Sequence, residues 1–181
     1  MLDVRRALLD AAAGELDDHG AAGISLRAIA RRAGVSHAAP KHHFGDRAGL
    51  LTAIAADGFR TLAATQRDAA PGGLHALGVS YVDFGAGHPA LFELMFASSE
   101  LRTDDPDLLA AHEESLRPLR EAAGRAGEVT AAASGQDAVL MAWVFVHGLV
   151  VLQRGGALGA AGGEPAHLLS TFSRLLSPGR R

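Results

Sequence analysis

The sequence predicts an all-α protein of about nine helices, arranged in two parts. Apolar residues recur every three or four positions along most of the 181 residues, which is the period of a helix with one buried face. Strand-forming residues are sparse, with one Trp, one Tyr and few runs of β-branched side chains. With 48% hydrophobic and 20% charged residues, the chain can bury a core and differs from a disordered chain.

Residues 1–67 are predicted to form an N-terminal domain that begins with three short helices and the start of a fourth. The first helix begins near Val4 and ends at Gly20, where glycine permits a left-handed cap. Ser25, Ser36 and Asp46 are each placed to cap the N-terminus of the next helix.

Residues 68–181 are predicted to form the second domain, and the Pro71-Gly72-Gly73 break lies close to the boundary. Five helical stretches follow, at residues 74–86, 90–97, 106–123, 134–154 and 164–176. Pro118 is expected to kink the third of them. The most apolar run, Ala138 to Leu152, is shorter than the ~20 residues that a membrane-spanning helix needs, so we expect a buried or interface helix.

Composition excludes some classes of function and leaves DNA binding open. The chain has no cysteine, which excludes a disulfide scaffold, a thiolate nucleophile and a cysteine-ligated metal site. A net charge of −3 is unusual for a DNA-binding protein, but the charge is unevenly distributed. Residues 1–67 carry nine Lys and Arg against seven Asp and Glu, a net +2, whereas residues 68–181 carry eight against thirteen, a net −5. Because the N-terminus lacks the apolar segment of a signal peptide, we expect a cytoplasmic protein without membrane contact.

The segment from Ser25 to Phe44 has the pattern of a helix-turn-helix. Ala30 is small enough to let two helices approach, Gly34 permits the turn between them, and Val35 fills the space that they enclose. The helix that follows would present its N-terminal residues to the major groove of DNA. The same pattern also fits a tight helical corner in an all-α protein of another kind.

The N-terminal domain combines several specific motifs, which are Ile29-Ala30, Ala33-Gly34-Val35-Ser36, Phe44 and the Gly-Asp-Arg-x-x-Leu-Leu that begins at Gly45. This combination resembles the tetracycline-repressor-like (TetR) family of bacterial regulators. In the second domain, Trp143-x-x-x-His147-Gly148 and the run from His88 to Phe96 resemble one subgroup of effector domains, named WHG after those three residues. The resemblance implies a repressor that binds a palindromic double-stranded DNA operator as a homodimer and is released by a small-molecule effector.

The family resemblance also implies which residues contact DNA. Ser25, Arg27 and Arg47 would contact phosphates, because helix N-termini and cations bind anions. The DNA-binding residues carried over by position are Ser25, Arg27, Ser36, His37, Ala38, Ala39, Lys41, His42, His43 and Arg47. Residues 37–39 include no Arg, Asn or Gln for bidentate base contacts, so we expect His37, His42, thymine methyl contacts and DNA shape to determine sequence preference.

Two residues of the third helix depart from the family pattern. Lys41 stands where the family most often has Tyr, and lysine can pair with phosphate but cannot stack as tyrosine does. If Ser36 is the N-cap, Pro40 is the fourth helical residue and should distort the first turn, because it lacks the N–H that would bond the Ser36 carbonyl. We expect these departures to alter sequence preference and not to abolish binding.

The second domain is expected to hold the effector pocket and the dimer interface. The predicted ligand-binding residues are Tyr81, Phe84, His88, Phe92, Met95, Phe96, Trp143 and His147. The predicted interface residues are Leu140, Val144, Val151, Leu168, Leu169, Phe172 and Leu175. For any one of these residues, an ordinary place in a protomer core is the alternative.

Three other interpretations are less well supported by the sequence. A metal site formed by His88, His112 and His147 matches no known ligand spacing, and we expect no metal and no cofactor. An enzyme is not expected, since no nucleophile–base pair and no glycine-rich phosphate loop is evident. An all-α ligand-binding module that has lost DNA binding is the alternative function, and its only support is Pro40 and Lys41.

Overall fold

The computed structural model describes residues 3–127 and 135–176 of the chain. Within these ranges the chain forms ten α-helices and one 3₁₀ turn and no strand, which confirms the predicted all-α fold. The helices are α1 Val4–Gly23, α2 Leu26–Arg32, α3 Ala39–Phe44, α4 Arg47–Ala69, α5 Gly73–Gly87, α6 Pro89–Ala97, α7 Pro106–Gly127, α8 Gly135–Arg154, α9 Ala157–Ala160 and α10 Pro165–Leu176. Ser134, the predicted first residue of the most apolar helix, lies outside the described residues.

The chain divides into two compact units, which we call the first unit and the second unit. The first unit comprises Met1–Thr61 and His88–Glu114, and the second comprises Leu62–Gly87 and Ser115–Arg181. The predicted domain boundary after residue 67 remains a prediction.

Gly20 interrupts α1 at the position where the sequence predicts the first helix to end. Its φ of 67° and ψ of 173° are outside the helical region, and the preceding residues form a regular helix. At the other end of α1, the Asp3 carboxylate accepts a hydrogen bond from the Arg6 backbone N–H at 3.2 Å and caps the helix. Local signals therefore determine both ends of this helix.

Helix α7 is longer than the sequence indicated, because the predicted stretch ended at residue 123. Helix α4 continues to Ala69, and α7 continues through Pro118 to Gly127. Pro118 does not end α7, and it lies in a buried position.

The core of the first unit is formed by apolar side chains of α1, α2, α4 and α6. Leu8, Leu16, Ile29, Leu50 and Leu94 are all at most 1% exposed. Burial of each such side chain contributes about 1.5–3 kcal/mol to folding. This core supports the short helices α2 and α3, which could not be stable in isolation.

The second unit is built around α5, α8 and α10. Gly78 of α5 lies so close to α10 that a Cβ atom there would be 2.8 Å from Leu169 Cδ2. The rings of Phe145 and Phe172 stack with centroids 4.0 Å apart. The side-chain amide of Gln66, which is 4% exposed, donates to the Leu77 carbonyl at 3.1 Å and so has a partner for its buried N–H.

Helix α8 carries an unusual amount of exposed apolar surface. The segment Gln136–Arg154 has a mean hydropathy of 1.4 and is, among the described helices, the one long and apolar enough to cross a membrane. Only 22% of the most apolar window in this segment is buried within the protomer. Because core and interface helices of water-soluble proteins also have this composition, the segment is weak support for a membrane span.

Candidate nucleic-acid interface and ligand site

The turn between α2 and α3 has the geometry of a helix-turn-helix. Gly34 has a φ of 67°, which favours glycine. The Gly34 N–H donates to the Arg31 carbonyl at 3.2 Å, and the Val35 N–H donates to the Ala30 carbonyl at 3.0 Å. This pair of bonds is a Schellman motif, and it satisfies two carbonyls at the end of α2. The predicted roles of Gly34 in the turn and of Ala30 as a buried small residue are confirmed.

Helix α3 begins later than predicted. Ala38 and not Ser36 is its N-cap, and the Ser36 carbonyl accepts a hydrogen bond from the Ala39 N–H at 3.0 Å. Pro40 is therefore in the first turn of α3 and is not its fourth residue. The predicted distortion was wrong, because the first four N–H groups of a helix have no intrahelical partner and proline loses nothing there.

The two sides of α3 differ sharply in exposure. Pro40 and Phe44, four residues apart, are buried and hold the helix on the core. The opposite side is open to solvent, as are the start of α2 and the turn before α3. The exposed residues among the predicted DNA contacts are Ser25, Arg27, Ser36, His37, Ala38, Lys41, His42 and His43, whereas Ala39 is half-buried. Ser25 occupies the N-cap position of α2 as predicted, although its side chain makes no capping bond.

Three of the four exposed cations on α2 and α3 are unpaired among the described residues. Arg27, Arg31 and Lys41 form no ion pair with any described residue. Arg31 was missed as a candidate contact, although its position on α2 four residues after Arg27 indicates the same helix face. Arg32, by contrast, pairs with Glu15 at 3.2 Å and Asp18 at 2.7 Å. Unpaired cations beside an open helix are suited to phosphate contacts.

The structure gives Arg47 a different role from the predicted phosphate contact. Its guanidinium donates to the carbonyls of Ala21 at 2.6 Å and Ile24 at 2.5 Å. Its Nε donates to the Glu100 carboxylate at 2.9 Å, and this hydrogen bond lowers the pKa of that carboxyl. The guanidinium is thus occupied by the protein itself. The neighbouring Asp46 caps α4 as predicted, because its carboxylate accepts a hydrogen bond from the Gly49 N–H at 2.9 Å.

In the second unit, three of the predicted ligand-binding residues form a hydrogen-bonded cluster. The Tyr81 hydroxyl lies 3.0 Å from His147 Nδ1, and the rings of Trp143 and His147 have centroids 5.5 Å apart. Burial raises the pKa of Tyr81, and a hydrogen bond from Trp143 partly offsets this shift. Burial also lowers the pKa of His147. Phe84, which is 4% exposed, also lies in this unit.

The other four predicted ligand-binding residues lie in the first unit. Phe92 and Phe96 are in ring contact with centroids 4.8 Å apart, and Phe96 also contacts Phe59. Met95 occupies the space that a side chain at Gly58 would need. His88 lines a cavity of about 220 Å³ bounded by α1, α4 and α6, and Arg6, Asp17 and Asp57 also line it. A single pocket formed by all eight residues remains a prediction.

The predicted interface residues fall into two groups by exposure. Leu140, Val144, Val151 and Leu175 are 49–77% exposed. Leu168 and Phe172 are half-buried. Leu169 is 4% exposed and packs against Gly78 within its own unit, so it belongs to the core and not to an exposed face.

Comparison with known proteins identifies the family of the chain. Residues 8–54 match the family described as bacterial regulatory proteins, tetR family. Residues 74–176 match the tetracyclin repressor-like C-terminal domain. The chain belongs to the TetR family.

Curated TetR relatives match part of the chain. The HTH-type transcriptional regulator BetI of Burkholderia thailandensis is 42% identical over 69 residues, which are 37% of this chain and 35% of that protein. The chain thus spans about a third of the length of the curated relatives that it matches.

Solved structures are similar over almost the whole TetR chain. A protein of unknown function from Rhodococcus sp. RHA1 is 30% identical, with a TM-score of 0.83 over 97% of this chain and 94% of that one. The transcriptional regulator FadR of Bacillus subtilis, solved in complex with stearoyl-CoA, has a TM-score of 0.66 over 98% of this chain and 100% of that one. At 14% identity, the FadR similarity shows the fold alone.

The family match of the second domain does not establish a subgroup within the TetR family. The resemblance of Trp143, His147 and Gly148 to the WHG subgroup is not confirmed by the match over residues 74–176. The contact between Trp143 and His147 is nevertheless part of the second unit.

Proposed function

We propose that this TetR-family chain is a ligand-responsive transcriptional regulator, a repressor that binds a palindromic operator as a homodimer. The observation that carries the proposal is the open side of α3 together with three exposed, unpaired cations of the helix-turn-helix, Arg27 and Arg31 on α2 and Lys41 on α3. Side chains in this arrangement can enter a major groove while the cations fix the helix on the phosphates. The protein acts by binding and not by catalysis, and its site of action is the bacterial cytoplasm.

Dimerisation is supported by the apolar surface of α8. Leu140, Val144 and Val151 are 49%, 63% and 51% exposed and lie on one face of the helix, since eleven residues correspond to about three turns. An exposed apolar stripe of this kind is costly in water and is typical of a protein interface. Two copies that pair through it would present two α3 helices to half-sites about 34–36 Å apart.

The effector is a small molecule with a large apolar part. The aromatic residues Tyr81, Phe84 and Trp143 and the half-buried His147 supply an apolar environment with a few polar groups for orientation. The effector would release the operator by favouring a protomer conformation in which the two α3 helices no longer match successive grooves.

Selection of bound fragments from random double-stranded DNA, followed by fluorescence anisotropy on the recovered sequence, tests the proposal. We expect a palindromic sequence, two protomers per duplex and an affinity that falls steeply with salt. Binding without sequence preference at low salt would contradict the proposed function and favour a ligand-binding module that has lost DNA recognition.

A further inference from the structure

The turn between α6 and α7 makes two crossed ion pairs with the start of α4. The Glu100 carboxylate accepts a hydrogen bond from Arg47 Nε at 2.9 Å, and Arg102 Nη2 lies 2.7 Å from the Asp46 carboxylate. The backbone N–H of Arg102 also donates to the Thr52 hydroxyl at 3.0 Å, and Thr52 is 2% exposed. We call Glu100 and Arg102 the strap. All of these residues lie in the first unit.

Arg47 connects the strap to the other end of the helix-turn-helix. Ile24, whose carbonyl Arg47 binds, directly precedes Ser25 at the start of α2, and Arg47 is the first residue after the turn that follows α3. The guanidinium therefore joins the residue before the helix-turn-helix to the residue after it. Because Arg has several donors in a rigid plane, it can hold two carbonyls and a carboxylate together.

Glu100 holds the Arg47 side chain in this position. An arginine side chain has many rotamers, and a carboxylate on its outer side restricts them. The second pair, Asp46 with Arg102, fixes the residue that caps α4. Both ion pairs are partly exposed, so each contributes little to the free energy of unfolding. Their main effect is to fix the positions of Arg47 and Asp46.

We propose that Glu100 and Arg102 are positioning residues for DNA binding, which hold Arg47 and Asp46 so that α2 and α3 keep their arrangement. The inference rests on the proposed function. It assigns a part in DNA binding to two residues that lie more than fifty positions from α3 in the sequence and outside the matched N-terminal region 8–54.

Because Glu100 is acidic, the inference can be tested by whether its removal weakens or strengthens operator binding. Removal of an acidic side chain from a DNA-binding unit ordinarily strengthens DNA binding, because it removes repulsion from the phosphates. A positioning role predicts the opposite result, since Arg47 loses the group that holds it. We expect Glu100→Ala to weaken binding to the selected operator by about three- to tenfold, the size expected for one lost charged contact.

Asp104→Ala is the matched control. Asp104 lies in the same turn and is exposed, and it forms no ion pair with any described residue. The substitution Asp104→Ala changes the net charge by the same amount as Glu100→Ala, so it should leave operator affinity unchanged or raise it slightly. Glu100→Gln, which keeps an oxygen acceptor for Arg47, should restore part of the affinity that Glu100→Ala loses.

Operator binding, binding to a scrambled duplex and the thermal midpoint of the free protein are measured for each variant. The positioning role predicts a loss confined to operator binding, with a scrambled duplex bound as before or slightly more tightly. Equal or tighter operator binding by Glu100→Ala would overturn the inference. It would also be overturned if both Glu100 variants lost operator affinity and had correspondingly lower thermal midpoints. If the unaltered protein itself shows no sequence preference, it is the proposed function that fails.

Discussion

The hydroxyl of Tyr81 lies 3.0 Å from Nδ1 of His147, in the second unit of the protein. Tyr81 is 6% exposed, and its hydroxyl also accepts a hydrogen bond from Trp143. A tyrosine hydroxyl that accepts from an indole N–H still has its own proton to donate. The same oxygen has a second lone pair that can accept from a histidine N–H, so the His147 tautomer determines which group donates across the 3.0 Å contact.

The neutral state of His147 predicts that stability falls in acid. Burial lowers the pKa of His147 in the folded protein below its ordinary value of 6.5, so the unfolded chain binds more protons below that pH. The contribution is complete above about pH 6.5 and is lost as the pH falls through the folded pKa. We expect the free energy of unfolding, measured in urea, to decrease as the pH is lowered from 7.5 to about 5.5.

The variant His147→Gln should show a weaker pH dependence, since its side chain cannot be protonated and its amide can still form a hydrogen bond with the Tyr81 hydroxyl. His167→Gln, at an exposed position of α10, is the control and should retain the full dependence. An identical pH profile for both variants would contradict a buried, neutral His147.

Gly148 offers a test of the α8 interface. A Cβ atom added there meets nothing within 4 Å in the same chain, so the start of a side chain has open space around it. Gly148 lies near the exposed stripe of Leu140 and Val144, where a second copy would pack closely. We expect Gly148→Leu to weaken the dimer by about five- to 150-fold, because overpacking of an interface costs about 1–3 kcal/mol.

Sedimentation equilibrium measures this effect, and Gly159→Leu in α9 is the matched control. Gly159 also has open space around it and lies outside the stripe. If Gly148→Leu and Gly159→Leu dimerise like the unaltered chain, α8 is not the interface at this position.

The cations of the helix-turn-helix should determine the salt dependence of DNA binding. Each phosphate contact releases counterions, so the plot of log affinity against log salt has a negative slope. The magnitude of this slope should decrease by about one for each contact removed. We expect Arg27→Ala and Arg31→Ala each to reduce the slope in this way, for selected and scrambled duplexes alike. Arg117→Ala, an exposed arginine of α7, should leave the slope unchanged, and a slope unaffected by all three would exclude Arg27 and Arg31 as phosphate contacts.

Gly49 and Gly124 should respond in opposite ways to the same substitution. A Cβ at Gly49 would lie 2.1 Å from the Phe44 carbonyl oxygen, whereas one at Gly124 meets nothing within 4 Å. Alanine is favoured over glycine in a helix by about 1 kcal/mol. We expect Gly124→Ala to raise the thermal midpoint by several degrees and Gly49→Ala to lower it, because the α3–α4 turn must shift. A higher midpoint for Gly49→Ala, measured by circular dichroism, would show that the turn adjusts without strain.

The sequence was sufficient to predict features that depend on nearby residues. The turn at Gly34, the cap at Asp46 and the end of the regular helix at Gly20 each follow from contacts within about five residues. Such contacts form in the same way wherever the segment occurs, so pattern and residue type predict them. The exception was the start of α3, where proline shifted the N-cap from Ser36 to Ala38.

The tertiary structure decided which side chains meet over long distances in the chain. Arg47 was predicted to face phosphate from its position in the motif, but the fold places it against Ala21, Ile24 and Glu100. Leu169 and Leu140 are both leucines, yet Leu169 is 4% exposed and Leu140 is 49% exposed.

By itself, the sequence determined that this is a helical protein with a helix-turn-helix, because helix period and turn residues are local properties. The pairing of Arg47 with Glu100, or of Tyr81 with His147, depends on how the helices pack. Packing is a property of the whole core, and no spacing rule in the chain encodes it.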